Sequence, residues 1–147
     1  MSEVCLLHAC SVRGLHHVQL SFAPKLQTQM EHFYGQLLGL RRSSHSAVEH
    51  VLSYAVGGQR IDLVPLIGQA VQSGGHAHLA LQVTDAYGLQ QYLSHHGAMV
   101  LSVAQVPEGL RFYAKDPAGN TLELLQPFAA LQPASTRPTL IQHAVCA

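Results

Sequence analysis

The sequence predicts an α+β fold made of two tandem β-α-β-β-β modules. Strand and helix patterns occur in the same order in both halves of the chain. A distance is also repeated: Asp62 lies 45 residues after His17, and Glu123 lies 45 residues after His78. Each histidine opens an alternating apolar run, and each carboxylate is flanked by apolar residues. A duplicated module that collects four metal-type ligands in one cavity is therefore predicted.

The first module is predicted over residues 14–68. Residues 15–22 alternate in polarity, which indicates a strand. Apolar residues three and four apart after Pro24 indicate an amphipathic helix that ends at Gly39. Three short strands are predicted next, at about residues 41–46, 50–56 and 59–66. Gly57-Gly58 supplies the hairpin between the last two strands.

The second module is predicted over residues 76–127 and repeats this order. A strand over residues 78–83 is followed by a helix that Asp85 can cap and that Gly97 ends. Strands are predicted near residues 99–105, 110–115 and 121–126. Residues 116–120, Asp-Pro-Ala-Gly-Asn, have the composition of a turn and occupy the place of Gly57-Gly58. Residues 1–13 and 128–147 are tails that belong to neither module.

The composition predicts a homodimer that does not bind nucleic acid. Only 11% of the residues are charged, against roughly 25% in a typical soluble domain. Because 48% are apolar, burying part of the surface between two subunits is expected. The formal net charge is zero and no basic run is present, so the electrostatic attraction that nucleic-acid binding requires is missing.

The cysteine pattern and the hydropathy predict a soluble, cytoplasmic protein. Three cysteines without a C-x-x-C motif favour reduced thiols over a disulfide framework. The cysteines are Cys5, Cys10 and Cys146. The apolar residues near the N-terminus are interrupted by His8 and follow no basic residue, which is atypical of a signal peptide. No segment approaches the roughly 20 apolar residues of a membrane-spanning helix.

Several motifs resemble the vicinal oxygen chelate superfamily, which includes glyoxalase I, extradiol dioxygenases, fosfomycin-resistance transferases and bleomycin-binding proteins. In the first half they are residues 15–20 (LHHVQL), 32–34 (HFY) and 37–40 (LLGL). In the second half they are residues 78–83 (HLALQV), 112–113 (FY), 116–120 (DPAGN) and 122–124 (LEL). The resemblance covers residues 14–127. It implies paired modules whose mixed sheet curls around a metal-centred cavity.

The resemblance also implies a metal site. By position, His17, His78 and Glu123 fall on the superfamily's usual metal ligands. Imidazole nitrogen and carboxylate oxygen suit a divalent ion such as Ni, Zn, Mn, Fe(II) or Co. Glyoxalase I-like relatives carry a glutamate ligand at the position of Asp62. Aspartate is one methylene shorter, so direct ligation and an indirect role through water or a histidine both stay open.

The expected function is a metal-dependent, glyoxalase-like lyase or isomerase that acts on a small oxygenated substrate. A carboxylate near the metal, either Glu123 or Asp62, would remove a proton next to a carbonyl. One alternative is an extradiol-type Fe(II) dioxygenase. Another is a non-enzymatic dimer that binds a drug or other ligand, as bleomycin-resistance proteins do. Three cationic side chains in the predicted strands either bind a substrate carboxylate or face the solvent: Arg60, Arg111 and Lys115.

Overall fold

The computed structural model describes residues 12–44, 50–68 and 77–128, and all statements about structure refer to these residues. The three cysteines, the linker at residues 69–75 and most of both tails lie outside them. The described residues form strands and short helices in the predicted order, which confirms the α+β class. None of these helices is long and apolar enough to cross a membrane.

The first half contains four strands and one helical region. The strands are β1 (His17–Phe22), β2 (Arg41–Arg42), β3 (Leu52–Val56) and β4 (Gln59–Pro65). The helical region is a 3-10 turn at Pro24–Leu26, helix α1 at Gln27–Glu31 and a π-helix at His32–Leu37. Gly39 follows it with φ of +65°, a conformation that glycine adopts without strain.

The second half repeats this arrangement with one additional strand. Its elements are β5 (Leu79–Gln82), helix α2 (Ala86–His95), β6 (Met99–Val100), β7 (Ala104–Val106), β8 (Gly109–Lys115) and β9 (Thr121–Pro127). The single strand predicted near residues 99–105 is thus two strands, and both pair with β8. Asp85 caps α2 as predicted, because its side chain accepts a hydrogen bond from the Gly88 amide at 2.9 Å.

The strands form two sheets with matching topology. The orders are β1-β4-β3-β2 and β5-β9-β8-β6, with β7 added beside β8. In each sheet the first and last strands are parallel neighbours, and the last two strands form an antiparallel hairpin. No strand pairing joins the two sheets within the described residues. The described part of the fold therefore has two sheets of matching strand order.

The equal histidine-to-carboxylate spacing arises from equal strand register. Gln19 of β1 pairs with Asp62 of β4, and Ala80 of β5 pairs with Glu123 of β9. Each histidine precedes the paired residue by two positions, and residues two apart on an extended chain share a face. His17 is thus related to Asp62 as His78 is related to Glu123.

One hydrophobic core contains side chains from both halves. Alternation along β4 and β9 points Ile61, Leu63, Leu122 and Leu124 into the core, where each is at most 2% exposed. The helical segments cover this inner face of the sheets. Large, fully buried members include Phe22, Met30, Tyr34, Leu93 and Phe112. The opposite, outer face of each sheet consequently holds the polar residues that the alternation excludes from the core.

The turn at residues 116–120 joins the two halves. The carboxylate of Asp116 accepts hydrogen bonds from the Ala118 amide at 2.9 Å and the Asn120 amide at 2.8 Å. Its second oxygen accepts from the Asn120 side chain at 2.8 Å and from the Tyr34 hydroxyl at 2.9 Å. The Asn120 side chain also donates to the Ser21 carbonyl at 3.2 Å. This turn therefore holds β1 and the π-helix against the second sheet.

Candidate functional site

His78 and Glu123 meet on the outer face of the second sheet. Glu123 lies on β9 between two core leucines, so its side chain points away from the core. Its carboxylate Oε2 is 2.7 Å from His78 Nε2. Glu123 is 9% exposed, whereas the His78 side chain is 34% exposed. The pair is thus held by the sheet on one side and open to small molecules on the other.

Two residues of β8 complete the surroundings of Glu123. Tyr113 pairs with Glu123 across the hairpin, and its hydroxyl donates to Glu123 Oε2 at 3.4 Å. The His78 and Tyr113 rings are in edge-to-face contact at 5.6 Å. Arg111 Nη1 lies 3.8 Å from Glu123 Oε1, and the guanidinium carbon is 5.4 Å from the centre of the Tyr113 ring. The second sheet therefore presents a carboxylate with an imidazole, a phenol and a guanidinium around it.

Lys115 has a structural role among the three candidate cations. Its ammonium donates to the Thr121 hydroxyl at 2.8 Å and to the Gly119 carbonyl at 3.4 Å. Both acceptors belong to the hairpin that joins β8 to β9, so Lys115 braces that turn. Arg111 and Arg60 instead contact the two predicted carboxylates directly.

Asp62 occupies the equivalent position in the first sheet but has different partners. The Ser53 hydroxyl donates to Asp62 Oδ1 at 2.6 Å, and Arg60 Nε lies 3.0 Å from both carboxylate oxygens. Burial acts to raise the pKa of Asp62. The hydrogen bonds from Ser53 and Arg60, with the positive charges of Arg60 and His17, outweigh burial and hold that pKa below its usual value.

His17 is exposed at the start of β1, on the same face as Gln19 and near Asp62. Its Nδ1 is 2.9 Å from Nδ1 of His16, which is hydrogen-bond distance when one ring nitrogen donates and the other accepts. Within the described residues, no three histidine, cysteine, aspartate or glutamate side chains lie close enough to hold one ion. The chain therefore presents two separate pairs, His78 with Glu123 and His17 with Asp62.

The donor types in both pairs fit a divalent metal, although the two pairs do so unequally. Glu123 has an imidazole beside it and only long contacts to Tyr113 and Arg111, so its oxygens retain capacity to bind a cation. Asp62 already accepts hydrogen bonds at both oxygens. A metal at Asp62 would have to share oxygens with Ser53 and Arg60, which favours an indirect role for this carboxylate.

The sequence did not indicate Tyr113 or Ser53 as site residues. Each is identified by register alone, because Tyr113 pairs with Glu123 and Ser53 pairs with Asp62 across an antiparallel hairpin. Counting back from the two predicted turns by equal numbers of residues would have placed both beside the carboxylates.

Residues 14–124 match the family model described as the Glyoxalase/Bleomycin resistance protein/Dioxygenase superfamily. The chain belongs to this superfamily. The match spans both modules and includes all four predicted ligands. No curated protein matches the sequence.

Several solved structures share this fold. A glyoxalase family protein from Bacillus anthracis is 23% identical with a TM-score of 0.70, covering 80% of this chain and 98% of its own. An antibiotic-binding protein from Streptomyces sp. CB03234 is 21% identical with a TM-score of 0.66 and the same coverage. A lactoylglutathione lyase from Agrobacterium tumefaciens is 16% identical with a TM-score of 0.61, covering 78% and 94%. At these identities the likeness shows the fold.

Proposed function

We propose that this superfamily member is a metal-dependent, glyoxalase-like enzyme of the lyase or isomerase type that acts on a small oxygenated molecule. The 2.7 Å contact between His78 and Glu123, on an open sheet face, carries the proposal. Imidazole nitrogen and carboxylate oxygen are ligand types that suit Ni, Zn, Mn, Fe(II) or Co. His17 and Asp62 supply the same residue types at the equivalent register of the other sheet.

A second copy of the chain would complete this site. If the first-module face of one copy met the second-module face of the other in a two-fold dimer, symmetry would generate two equal sites. Met99 pairs with Lys115, which pairs with Thr121, so Met99 lies on the same face as Glu123. Met99 is 67% exposed and Leu101 is 61% exposed. Covering this apolar surface would provide part of the driving force for dimer formation.

The residues around the site suggest which group would perform each role in the reaction. A bound divalent ion would polarise a substrate oxygen and stabilise negative charge that develops on it. Glu123 is the better base for a proton next to a carbonyl, because Asp62 already accepts hydrogen bonds at both oxygens. Tyr113 would donate to the carboxylate and hold it in place. Arg60 and Ser53 would fix Asp62, and Asp62 would orient His17 or a water molecule.

A ligand-binding protein without catalysis is the second candidate. The exposed apolar residues on the outer face of the second sheet favour it, since an apolar molecule could be held between two subunits. An antibiotic-binding protein is among the structures with this fold. In this alternative the dimer would form but no metal would be required.

Metal titration tests the proposal and separates it from the alternative. Protein purified without chelator is titrated with Ni, Zn, Mn and anaerobic Fe(II), with binding and thermal stability as readouts. We expect saturable binding that His78→Ala and Glu123→Gln each weaken at least about 100-fold, because each removes a ligand. His95→Ala is the matched control, since His95 is exposed on α2. Wild-type protein that binds none of these ions would support the ligand-binding alternative.

Activity assays then separate the enzyme types. Anaerobic turnover of a hemithioacetal is expected for the isomerase. Oxygen uptake with catechols would instead identify the Fe(II) dioxygenase, which would use the same ligands. Glu123→Gln should abolish either activity, since the amide is neither a base nor a strong ligand.

A further inference from the structure

A cavity of about 430 Å³ is lined by residues of β2, β3 and β4 and of the Gly57-Gly58 hairpin in the first sheet. Its walls include His16, Arg41, Arg42, Ser43, Ala55 and Arg60. No carboxylate lines it within the described residues. In a chain with only 8 basic side chains and zero net charge, three arginines around one cavity are a marked local concentration of positive charge.

The strand register places two of these arginines on either side of a small residue. Arg41 of β2 pairs with Ala55 of β3, and Ala55 pairs with Arg60 of β4. Side chains of directly paired residues project from the same face. Because neighbouring strands are about 4.8 Å apart, the backbones of Arg41 and Arg60 lie roughly 10 Å from each other. The methyl group of Ala55 leaves the space between them open.

These guanidiniums retain hydrogen-bond donors. Arg60 uses only Nε in its contacts with Asp62, and no residue in the described ranges forms a hydrogen bond or ion pair with its two terminal nitrogens, which each carry N–H donors. Arg41 forms no ion pair or hydrogen bond with the described part of the chain. Arg42 is directed elsewhere, since its guanidinium lies over the Tyr54 ring and 3.8 Å from Glu31. Arg41 and Arg60 therefore hold most of the free donor capacity.

We propose that this cavity binds the oxyanion group, a carboxylate or a phosphate, of the small molecule on which the protein acts. The identification of that molecule as the substrate rests on the proposed function. Planar guanidiniums match the geometry of either oxyanion and bind it with paired hydrogen bonds. Asp62 lies two residues beyond Arg60 on β4, about 7 Å along the strand. An acid anchored in the cavity would extend its remaining atoms toward Asp62 and His17.

Titration calorimetry of metal-free protein in chelator tests this assignment. Inorganic phosphate and succinate are titrated separately at constant ionic strength into wild-type protein, Arg41→Gln, Arg41→Lys and Lys25→Gln. We expect saturable binding that Arg41→Gln weakens at least about tenfold, through loss of a charge-assisted hydrogen bond. The anion affinity of Arg41→Lys should lie between those of wild type and Arg41→Gln, because lysine keeps the positive charge but lacks the planar guanidinium. Which of the two anions binds distinguishes a phosphorylated ligand from a carboxylic acid.

Lys25→Gln is the matched control because it removes one exposed positive charge from a residue that does not line the cavity. It should change anion affinity less than twofold. Equal weakening by Lys25→Gln and Arg41→Gln would reduce the effect to net charge and overturn the proposal, as would the absence of saturable binding to wild-type protein. If Arg41→Gln does not fold, the anion affinity of Arg41→Lys is compared with that of wild type. A weaker affinity supports the proposal, and an equal affinity overturns it.

The metal titration keeps this assignment separate from the proposed function. Arg41→Gln should bind Ni with wild-type affinity, since a guanidinium is not a metal ligand and Arg41 lies in a different sheet from His78 and Glu123. Anion binding without metal binding would overturn the metal-dependent function and leave the anion site standing. Metal binding without Arg41-dependent anion binding would overturn the anion site alone.

Discussion

Tyr34→Phe should destabilise the protein by removing one buried hydrogen bond between its two halves. The Tyr34 hydroxyl donates to Asp116 at 2.9 Å, and Tyr34 is fully buried. The phenylalanine ring would keep the ring contacts with Phe33 at 5.3 Å and Tyr54 at 5.9 Å. The change therefore isolates the hydroxyl. Asp116 would retain its hydrogen bonds from Ala118 and Asn120, so the carboxylate would not be left unpaired.

The expected loss in the free energy of unfolding is about 1.5–3 kcal/mol, the usual contribution of a hydrogen bond to a charged group. For a chain of this length each kcal/mol lowers Tm by roughly 2–4 °C, so a decrease of about 3–12 °C is expected. Urea unfolding followed by circular dichroism measures the free energy, and calorimetry measures Tm. Tyr87→Phe is the matched control, because Tyr87 is 56% exposed and its hydroxyl has no hydrogen bond within the described residues.

The same variant should change how stability responds to alkaline pH. Burial, together with the Asp116 carboxylate, raises the pKa of Tyr34 above its ordinary value near 10. Because the pKa is raised in the folded state, the protonated Tyr34 hydroxyl makes its full contribution to the free energy of unfolding below about pH 10. That contribution declines as the pH rises further. The stability difference between wild type and Tyr34→Phe should therefore narrow above pH 10. A loss below about 0.5 kcal/mol, or one no larger than that of Tyr87→Phe, would refute the proposed link between the halves.

Three further predictions concern single contacts. Ser53→Ala should bring the pKa of Asp62 closer to its ordinary value, so the stability that Asp62 loses as the pH falls below about 4 should be smaller than in wild type; equal losses for the two proteins in fluorescence-monitored urea unfolding at several acidic pH values would contradict this. Gly109→Ala should cost about 1–3 kcal/mol, because its methyl would overlap the Gln126 carbonyl, whereas Gly58→Ala, in open space, should not. Met99→Glu should shift a dimer toward monomer in analytical ultracentrifugation, whereas Ile67→Glu, also highly exposed, should leave the dimer intact.

The order of elements could be predicted because each depends on local chemistry. Gly57-Gly58, the Asp85 cap and the turn at residues 116–120 all form as expected, since turn and cap preferences act over two to five residues. The π-helix at His32–Leu37 could not be predicted from the spacing of apolar residues. The π-helix has only six residues, little more than one turn, and it also directs apolar side chains into the core. The same spacing of apolar residues is therefore compatible with an α-helix and with a π-helix.

The convergence of ligands was harder to predict than their identity. Equal spacing correctly indicates that His17 and Asp62 occupy the same register as His78 and Glu123. It contains no information on the relative position of the two sheets, which depends on core packing and on links such as the one between Tyr34 and Asp116. The expectation of four ligands in one cavity therefore stays a prediction.

The two carboxylates indicate how a duplicated module can divide its functions. Ser53 and Arg60 saturate Asp62, and Arg60 also lines the arginine-rich cavity. Glu123 instead has a histidine at 2.7 Å and weaker neighbours. Of these two carboxylates at equivalent positions, Asp62 is therefore paired with an arginine of the protein, whereas the contacts of Glu123 to Arg111 and Tyr113 are longer. A dimer that brings the two faces together would place an anion-binding cavity beside a metal site, an arrangement suited to a substrate with an acidic group at one end and a polarisable oxygen at the other.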